Sequence, residues 1–162
     1  MKVRQATRQD LPVLVALFEE LEGMQRDWRV FTPRPGFYDQ VAERYRRALE
    51  SPDAVTLVAE DDGEVVGMAY GEVRTPSRFS DERALELSGV VVRVGHRGRG
   101  VGRALVGEAA RFAGDRDVPW IELKTFVPNE TAMGFWRALG FNPRVVQLTA
   151  STSEAARRAT GR

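Results

Sequence analysis

The chain of 162 residues is long enough for one compact core and too short for two domains of ordinary size. Its 43% hydrophobic and 29% charged residues exclude general disorder, and a net charge of +1 argues against nucleic acid or an anionic membrane as partner. The lack of cysteine excludes disulfides, thiolate metal sites and a cysteinyl intermediate, and a single histidine, His96, argues against a zinc site or a Ser-His-Asp triad. No metal is therefore expected.

Neither a membrane span nor a secretion signal is predicted. No apolar run reaches the roughly 18 to 20 residues that a bilayer-spanning helix needs, and the first ten residues lack the apolar segment of a signal peptide. We therefore expect a cytoplasmic protein.

The first half of the chain predicts a strand, two helices and a hairpin. "KVRQA" alternates like a strand, and Thr7 with Asp10 forms a capping pattern before a helix that is expected to end at Gly23. A loop with two prolines separates it from an amphipathic helix over residues 37–51. "AVTLVAE" and "EVVGMAYGEVR" flank an Asp-Asp-Gly turn, which predicts two antiparallel strands.

The second half is organised around a loop rich in glycine and arginine. Nearly continuous apolar residues predict a buried central strand over 84–94, followed by a helix over 101–115 and a fifth strand over 118–126. This βαβ unit should have parallel strands. A short helix over 129–140, a final strand over 141–150 and a tail that is a frayed helix or disordered complete the prediction.

The loop between the central strand and the following helix, "RGRGVG", has the character of an anion site. A glycine-rich turn that enters a helix presents backbone N–H groups without intrahelical partners to a phosphate. The segment does not match a Walker A loop, which requires a lysine that this region lacks. Its G-x-G-x-G spacing also differs from the G-x-G-x-x-G fingerprint of dinucleotide-binding proteins. A connection shaped only by tight packing stays open as the alternative.

Residues 97–102 match the (Gln/Arg)-x-x-Gly-x-(Gly/Ala) pyrophosphate signature of the GNAT superfamily of acyl-CoA N-acyltransferases. "NETAMGFWRALGF" resembles the late motif of that family, and the order of predicted elements over residues 3–148 resembles its fold. The resemblance implies an α/β (α+β) fold with a mixed, mostly antiparallel central sheet flanked by helices. Residues 1–149 would form the N-acetyltransferase domain and residues 150–162 a polar tail.

The family resemblance implies acetyl-CoA as co-substrate. The pantetheine arm would lie along the fourth strand and bond to backbone around Val92 and Val94. Asn129 and Trp136 would also contact the cofactor, although Asn129 could equally be a helix N-cap. The pyrophosphate would bind the loop and the start of the next helix, at Arg97, Gly98, Arg99, Gly100, Val101, Gly102 and Arg103.

The resemblance also assigns catalytic roles. Glu86 stands eleven residues before the signature, where many members carry a glutamate that acts as general base directly or through water; a solvent-facing strand residue is the alternative. The backbone N–H of Val92 would polarise the thioester carbonyl. Trp136 occupies the place of the usual acidic tyrosine, and an indole cannot protonate a thiolate. Water, the substrate ammonium or one of Tyr38, Tyr45 and Tyr70 would supply that proton.

The segments expected to build the acceptor pocket combine aromatic rings with carboxylates, a composition suited to a cationic amine. Trp28, Phe31, Tyr38 and Glu82 are the substrate-binding candidates. The favoured function is direct transfer of the acetyl group to a primary amine of a small molecule. The alternatives are a protein or peptide N-acetyltransferase and a non-catalytic acyl-CoA-binding sensor, and assembly as a homodimer is left open.

Overall fold

A computed structural model describes residues 1–25, 33–75 and 81–160. Short 3-10 turns lie at Arg8–Asp10 and Val94–His96. The regular elements follow in the order β1 (Lys2–Gln5), α1 (Leu11–Gln25), α2 (Phe37–Ala48), β2 (Ala54–Asp61), β3 (Glu64–Arg74), β4 (Ala84–Val92), α3 (Val101–Gly114), β5 (Trp120–Leu123), α4 (Glu130–Ala138) and α5 (Thr152–Thr160).

The five strands form one sheet in the order β1-β2-β3-β4-β5. The first four pair antiparallel with their neighbours, and β4 pairs parallel with β5. The predicted hairpin is confirmed, with Asp62 and Gly63 at its turn in the left-handed region, at φ +48° and +81°. The parallel βαβ unit and the mixed, mostly antiparallel sheet flanked by helices are also confirmed.

Helices cover both faces of the sheet. On one face α1 and α2 bury Leu14, Leu17 and Tyr45 against strand residues that include Met68. On the other face α3 lies so close that a Cβ atom added at Gly67 would stand 3.3 Å from the side chains of two of its residues. The apolar side chains of the two faces thus make the sheet the buried centre of the fold.

The capping pattern before α1 forms as predicted. The Thr7 backbone N–H donates to the Asp10 carboxylate at 2.7 Å, and Arg4 donates to both oxygens of that carboxylate at 2.8 and 2.9 Å. The predicted helix end at Gly23 is wrong, because α1 continues to Gln25. A glycine in a helix costs only about 1 kcal/mol, which the packing of the apolar face exceeds.

Two strand predictions also need correction. The central strand ends at Val92, two residues earlier than expected, because residues 94–96 turn into a 3-10 helix. The predicted strand over residues 141–150 does not form, and Val145 and Leu148 are 89% and 88% exposed. Residues with β propensity need a neighbouring strand edge to form a strand, and the local sequence pattern does not supply one.

The internal contacts divide the chain into two compact units, Met1–Pro128 and Asn129–Arg162. In the second unit α4 and α5 are helical, so the polar tail carries a helix over most of its described length. The expected domain boundary at residue 149 stays a prediction. Among the described helices, none combines the length and apolar character needed to cross a membrane.

Candidate active site

Strand β4 contains a bulge beside β3. Tyr70 is paired with Gly89 and the next residue, Gly71, with Leu87, so Ser88 is an extra residue on β4. Side chains alternate between the faces of a strand, and one extra residue therefore reverses which face the following residues present.

The bulge decides where Glu86 points. Val91, beyond the bulge, packs in the core beneath α1 and α2. Leu85 and Leu87 lie beside Gly71 on the opposite side of the sheet, where α3 packs. Glu86, between those leucines, consequently faces the side of α1 and α2, and it lines a cleft there together with Arg44 of α2.

The sheet opens along the outer edge of β4. Strand β5 pairs only with Ala84–Leu87, whereas β3 accompanies β4 to Val92. Within the described chain, residues 88–92 have no neighbour strand on that edge. The Arg93 N–H donates to Val66 of β3 at 2.9 Å, so the preceding residue, Val92, directs its N–H and C=O toward the open edge. These are the groups that an extended ligand could bond.

The loop after β4 presents the uncapped N-terminus of α3. Gly98 and Gly100 have φ of +73° and +84°, which L side chains rarely adopt, so glycine is required at both positions. Gly100 is the N-cap and offers no side-chain hydrogen bond to the first amides of the helix, and the first turn holds no acidic residue. The guanidinium groups of Arg99 and Arg103 are exposed nearby. Unpaired amides with flanking cations form an anion site.

Arg97 connects this loop to the open edge. Its Nε donates to the Val92 carbonyl at 2.8 Å, and its Nη2 lies 2.8 Å from Sδ of Met24 on α1. Beside it, Nδ1 of His96 is buried and has no hydrogen-bond partner among the described residues. Arg97 thus contacts the strand on which the pantetheine arm was expected to lie.

Three glutamates lie side by side across the last three strands. Glu86 is the direct partner of Glu72 on β3 and of Glu122 on β5. The Glu86 side chain is 35% exposed, and its Oε1 lies 3.5 Å from Nζ of Lys124. Arg74 reaches across β4 to Glu122 at 2.6 Å. Carboxylates that face one another across strands repel, and these cations offset the repulsion.

Tyr70 bonds directly to Glu72, the first of these three glutamates, and Arg44 bonds to Tyr70. Arg44 lies over the Tyr70 ring, 4.8 Å from its centroid, and its Nε donates to the Tyr70 hydroxyl at 3.0 Å. That hydroxyl donates in turn to Glu72. The resulting cleft has a volume of about 230 Å³ and is lined by Arg44, Glu72, Val73, Arg74, Glu86 and Ser88.

The tyrosines considered as proton donors differ in environment. Tyr45 and Tyr70 are buried, and burial raises the pKa of both phenols, that of Tyr70 to about 12 with a further contribution from the hydrogen bond to Glu72. A phenol with so high a pKa is a weak acid near neutral pH. Tyr38 is half-buried, and its hydroxyl donates to Glu22 at 2.8 Å.

The remaining predicted site residues are distributed as follows. Trp28 and Phe31 lie outside the described residues. Glu82 is exposed just before β4, and the Val94 carbonyl accepts the Arg97 N–H in the 3-10 turn.

In the second unit, the side chain of Asn129 accepts the Ala132 N–H at 3.0 Å. This contact confirms its N-cap role. Trp136 packs edge-on against Phe135 and Phe141. Cofactor contacts of Asn129 and Trp136 stay predictions.

Sequence reasoning missed Ser88, Glu72 and Arg44. A glycine inside a strand pattern, Gly89, is a known sign of a bulge and could have indicated the first. Glu72 and Arg44 carry no local signal, because their proximity to Glu86 depends on strand register and helix packing.

The described residues hold no cluster of metal-ligating side chains.

The chain is similar in sequence to a known protein family over most of its length. Residues 18–141 match the acetyltransferase (GNAT) family. The match covers most of the chain, and the protein belongs to this family.

Two curated relatives are partial matches. Mycothiol acetyltransferase of Amycolatopsis mediterranei is 37% identical over 98 residues, 59% of this chain and 32% of the relative. Streptothricin acetyltransferase of Streptomyces lavendulae is 33% identical over 113 residues, 66% of this chain and 57% of the relative. The chain therefore spans about a third to just over half of these relatives.

Among solved structures, AAC(6')-Iy in complex with the bisubstrate analogue CoA-S-monomethyl-acetylneamine superposes with a TM-score of 0.72. It is 21% identical, and the match covers 93% of this chain and 97% of that one. This likeness shows that the fold is the same.

Proposed function

We propose that the protein transfers the acetyl group of acetyl-CoA directly to a primary amine of a small molecule. The observation that carries the proposal is the order of three features along the chain. The cleft carboxylate Glu86 and the open edge ending at Val92 lie on β4, and the uncapped amides of α3 follow them. In the proposed reaction these features would serve, in chain order, as the base, the backbone template and the anion site.

The donor would lie with its diphosphate on the amides of residues 101–103 and its pantetheine arm along the open edge of β4. The Val92 N–H points to that edge and would donate to the thioester carbonyl oxygen as negative charge develops there. The α3 N-terminus favours the anionic end of the donor.

The amine would approach from the cleft in which Glu86 lies. Its nitrogen bonds to the thioester carbon, the carbon–sulfur bond breaks, and Glu86 takes the amine proton directly or through water. The leaving thiolate takes a proton from water, from the substrate ammonium or from Tyr38. Tyr45 and Tyr70 are poor proton donors because burial raises their pKa.

Glu72 and Glu86 face one cleft of about 230 Å³, where their carboxylates would bind the ammonium group of a small acceptor. Arg44 and Arg74 line the same cleft. The curated relatives are named for small molecules, mycothiol and streptothricin. These names support a small amine and do not select one.

Release of coenzyme A thiol from acetyl-CoA across a panel of amines tests this function. Polyamines, amino acids, aminosugar antibiotics and short peptides should be compared, with acetylated products identified by mass spectrometry. The proposal predicts turnover with at least one small amine and slower transfer to peptides. Tight acetyl-CoA binding without transfer to any amine would instead favour the non-catalytic module that Trp136 suggests.

A further inference from the structure

We infer that the acceptor is a zwitterion, in which the primary ammonium group stands close to an anionic group, and that Arg44 binds this anion. Amino acids are the simplest compounds of this class. The inference rests on the proposed function, because it names the kind of acceptor that the cleft beside Glu86 would take.

The cleft contains charges of both signs. Glu72 and Glu86 are direct partners on β3 and β4, and both line it. Arg44 of α2 and Arg74 of β3 line the same space. A ligand with only positive charge would be repelled by the two arginines, and a ligand with only negative charge by the two glutamates. A ligand with one charge of each sign complements both pairs.

The two arginines differ in how far the protein already neutralises them. Arg74 donates to Glu122 at 2.6 Å, so its charge is balanced within the sheet. Within the described chain, Arg44 has no carboxylate at ion-pair distance, and its single hydrogen bond runs from Nε to the Tyr70 hydroxyl at 3.0 Å. The two Nη groups of Arg44 therefore stay available to a ligand.

Tyr70 fixes the position of the Arg44 guanidinium. The guanidinium lies over the Tyr70 ring, 4.8 Å from its centroid, and the ring is buried. The Tyr70 hydroxyl donates in turn to Glu72, so the phenol stands between that carboxylate and Arg44. Arg44 itself is exposed. A guanidinium held at Nε presents its two Nη groups as a planar fork, which matches two oxygens of a carboxylate or phosphate.

The amine end of the ligand would lie at Glu86, which would take the amine proton. Lys124 is the cation nearest to this carboxylate, with its Nζ 3.5 Å from Oε1, and its side chain is 93% exposed. An exposed pair of this kind is weak, so a ligand ammonium group can displace it.

The size of the cleft limits the distance between the two charged groups of the ligand. Its volume of about 230 Å³ is smaller than the roughly 300–1,000 Å³ of pockets for drug-sized ligands. A ligand that contacts both Arg44 and Glu86 must therefore carry its charges close together. In an α-amino acid a single carbon separates the ammonium and carboxylate groups.

Matched acceptors test the need for an anion. L-Serine, L-serinamide, ethanolamine and O-phosphoethanolamine all carry a primary amine, accompanied respectively by a carboxylate, a neutral amide, no acidic group and a phosphate. The other standard L-amino acids, each with its primary amide, extend the test to different side chains. Putrescine represents amines without an anion. Release of coenzyme A thiol from acetyl-CoA gives kcat and KM for each compound.

The unmodified protein should acetylate at least one amino acid with a kcat/KM about tenfold or more above that of its amide, as a charge-assisted hydrogen bond requires. A higher kcat/KM for O-phosphoethanolamine than for any amino acid would also support a zwitterion, with phosphate as its anion. Faster transfer to the amides or to putrescine would overturn the inference and leave the proposed function intact.

Arg44→Gln tests the residue that binds the anion. It should lower kcat/KM for the preferred zwitterion about tenfold or more, mainly through KM, and change kcat/KM for the uncharged amide by less than about 2-fold. Arg44→Lys keeps the charge without the planar fork and should retain part of the preference. Arg47→Gln is the matched control, because Arg47 lies on the same helix, is exposed and pairs with Glu43 at 3.0 Å.

Equal losses with the zwitterion and the amide in Arg44→Gln would overturn the role of Arg44, because they would show that it only supports the cleft. Thermal unfolding shows whether each variant is folded, and Arg44→Lys provides the same comparison if Arg44→Gln does not fold. Absence of transfer to every amine by the unmodified protein would instead count against the proposed function, so the two failures are distinct.

Discussion

Glu72 on β3 and Glu86 on β4 are direct cross-strand partners that face the same cleft. The pairing depends on the bulge at Ser88, without which Glu86 would point to the α3 side of the sheet. Arg44, through Tyr70, and Lys124 supply positive charge to opposite ends of the pair. A cationic amine that enters between the carboxylates would add to the positive charge that these residues supply.

Glu86→Gln tests the general base. Loss of the base should lower kcat by about 100-fold or more, while the dissociation constant of acetyl-CoA stays close to that of the parent. Glu122→Gln is the matched control, because Glu122 lies beside Glu86 on the next strand and is paired with Arg74. Steady-state kinetics give kcat for both variants. Equal, small losses of kcat in the two would show that Glu86 is not the general base.

Gly100→Val tests the anion site at α3. A β-branched residue at φ +84° is strained by roughly 1–2 kcal/mol, and this strain falls on the N-cap of α3. We expect acetyl-CoA to bind at least about tenfold more weakly by calorimetry. Gly95→Ala is the control, since Gly95 has open space at Cβ and no positive φ. Unchanged affinity in a folded Gly100→Val variant would disprove the loop assignment.

Tyr70→Phe tests whether a buried phenol protonates the leaving thiolate. Because the pKa of Tyr70 is raised to about 12, we expect kcat to change by less than about 3-fold. Loss of the Tyr70 hydroxyl, which bonds to Arg44 and Glu72, should lower the free energy of unfolding by about 1 kcal/mol. Tyr38→Phe provides the comparison at a half-buried position. A large loss of kcat confined to Tyr70→Phe would make Tyr70 the acid.

Asp10→Asn tests the pH dependence of stability. Hydrogen bonds from Arg4 lower the pKa of Asp10 to about 2 in the folded chain. A carboxylate with a depressed folded pKa stabilises the fold at neutral pH, and that stabilisation is lost as pH falls from about 4 to about 2. We expect Asp10→Asn to cost about 2 kcal/mol at pH 7 and to flatten this part of the stability profile.

The control for Asp10→Asn is Asp115→Asn, which removes an exposed carboxylate 3.2 Å from Arg111 and should change stability by less than about 1 kcal/mol. Urea unfolding at a series of pH values measures both variants. A profile for Asp10→Asn parallel to that of the parent would contradict the assignment.

The family and the conformation of the glycine loop could be predicted from the sequence because both reside in short contiguous segments. The loop "RGRGVG" needs glycine at Gly98 and Gly100 for positive φ, and a helix directly after it provides the free amides. The hairpin turn and the Asn129 cap were predictable for the same reason: neighbours in the chain make the interaction.

The arrangement of charged residues around Glu86 was decided only by the tertiary structure. The direction of Glu86 depends on one extra residue at Ser88, and its neighbour Glu72 depends on the register that follows. The contact between Arg97 and Val92 depends on how the loop folds back over an edge that β5 leaves unpaired. The predicted strand over residues 141–150 was wrong because strand pairing requires a partner edge elsewhere in the chain. Alternation and propensity are local, whereas register, bulges and open edges arise from contacts between distant segments.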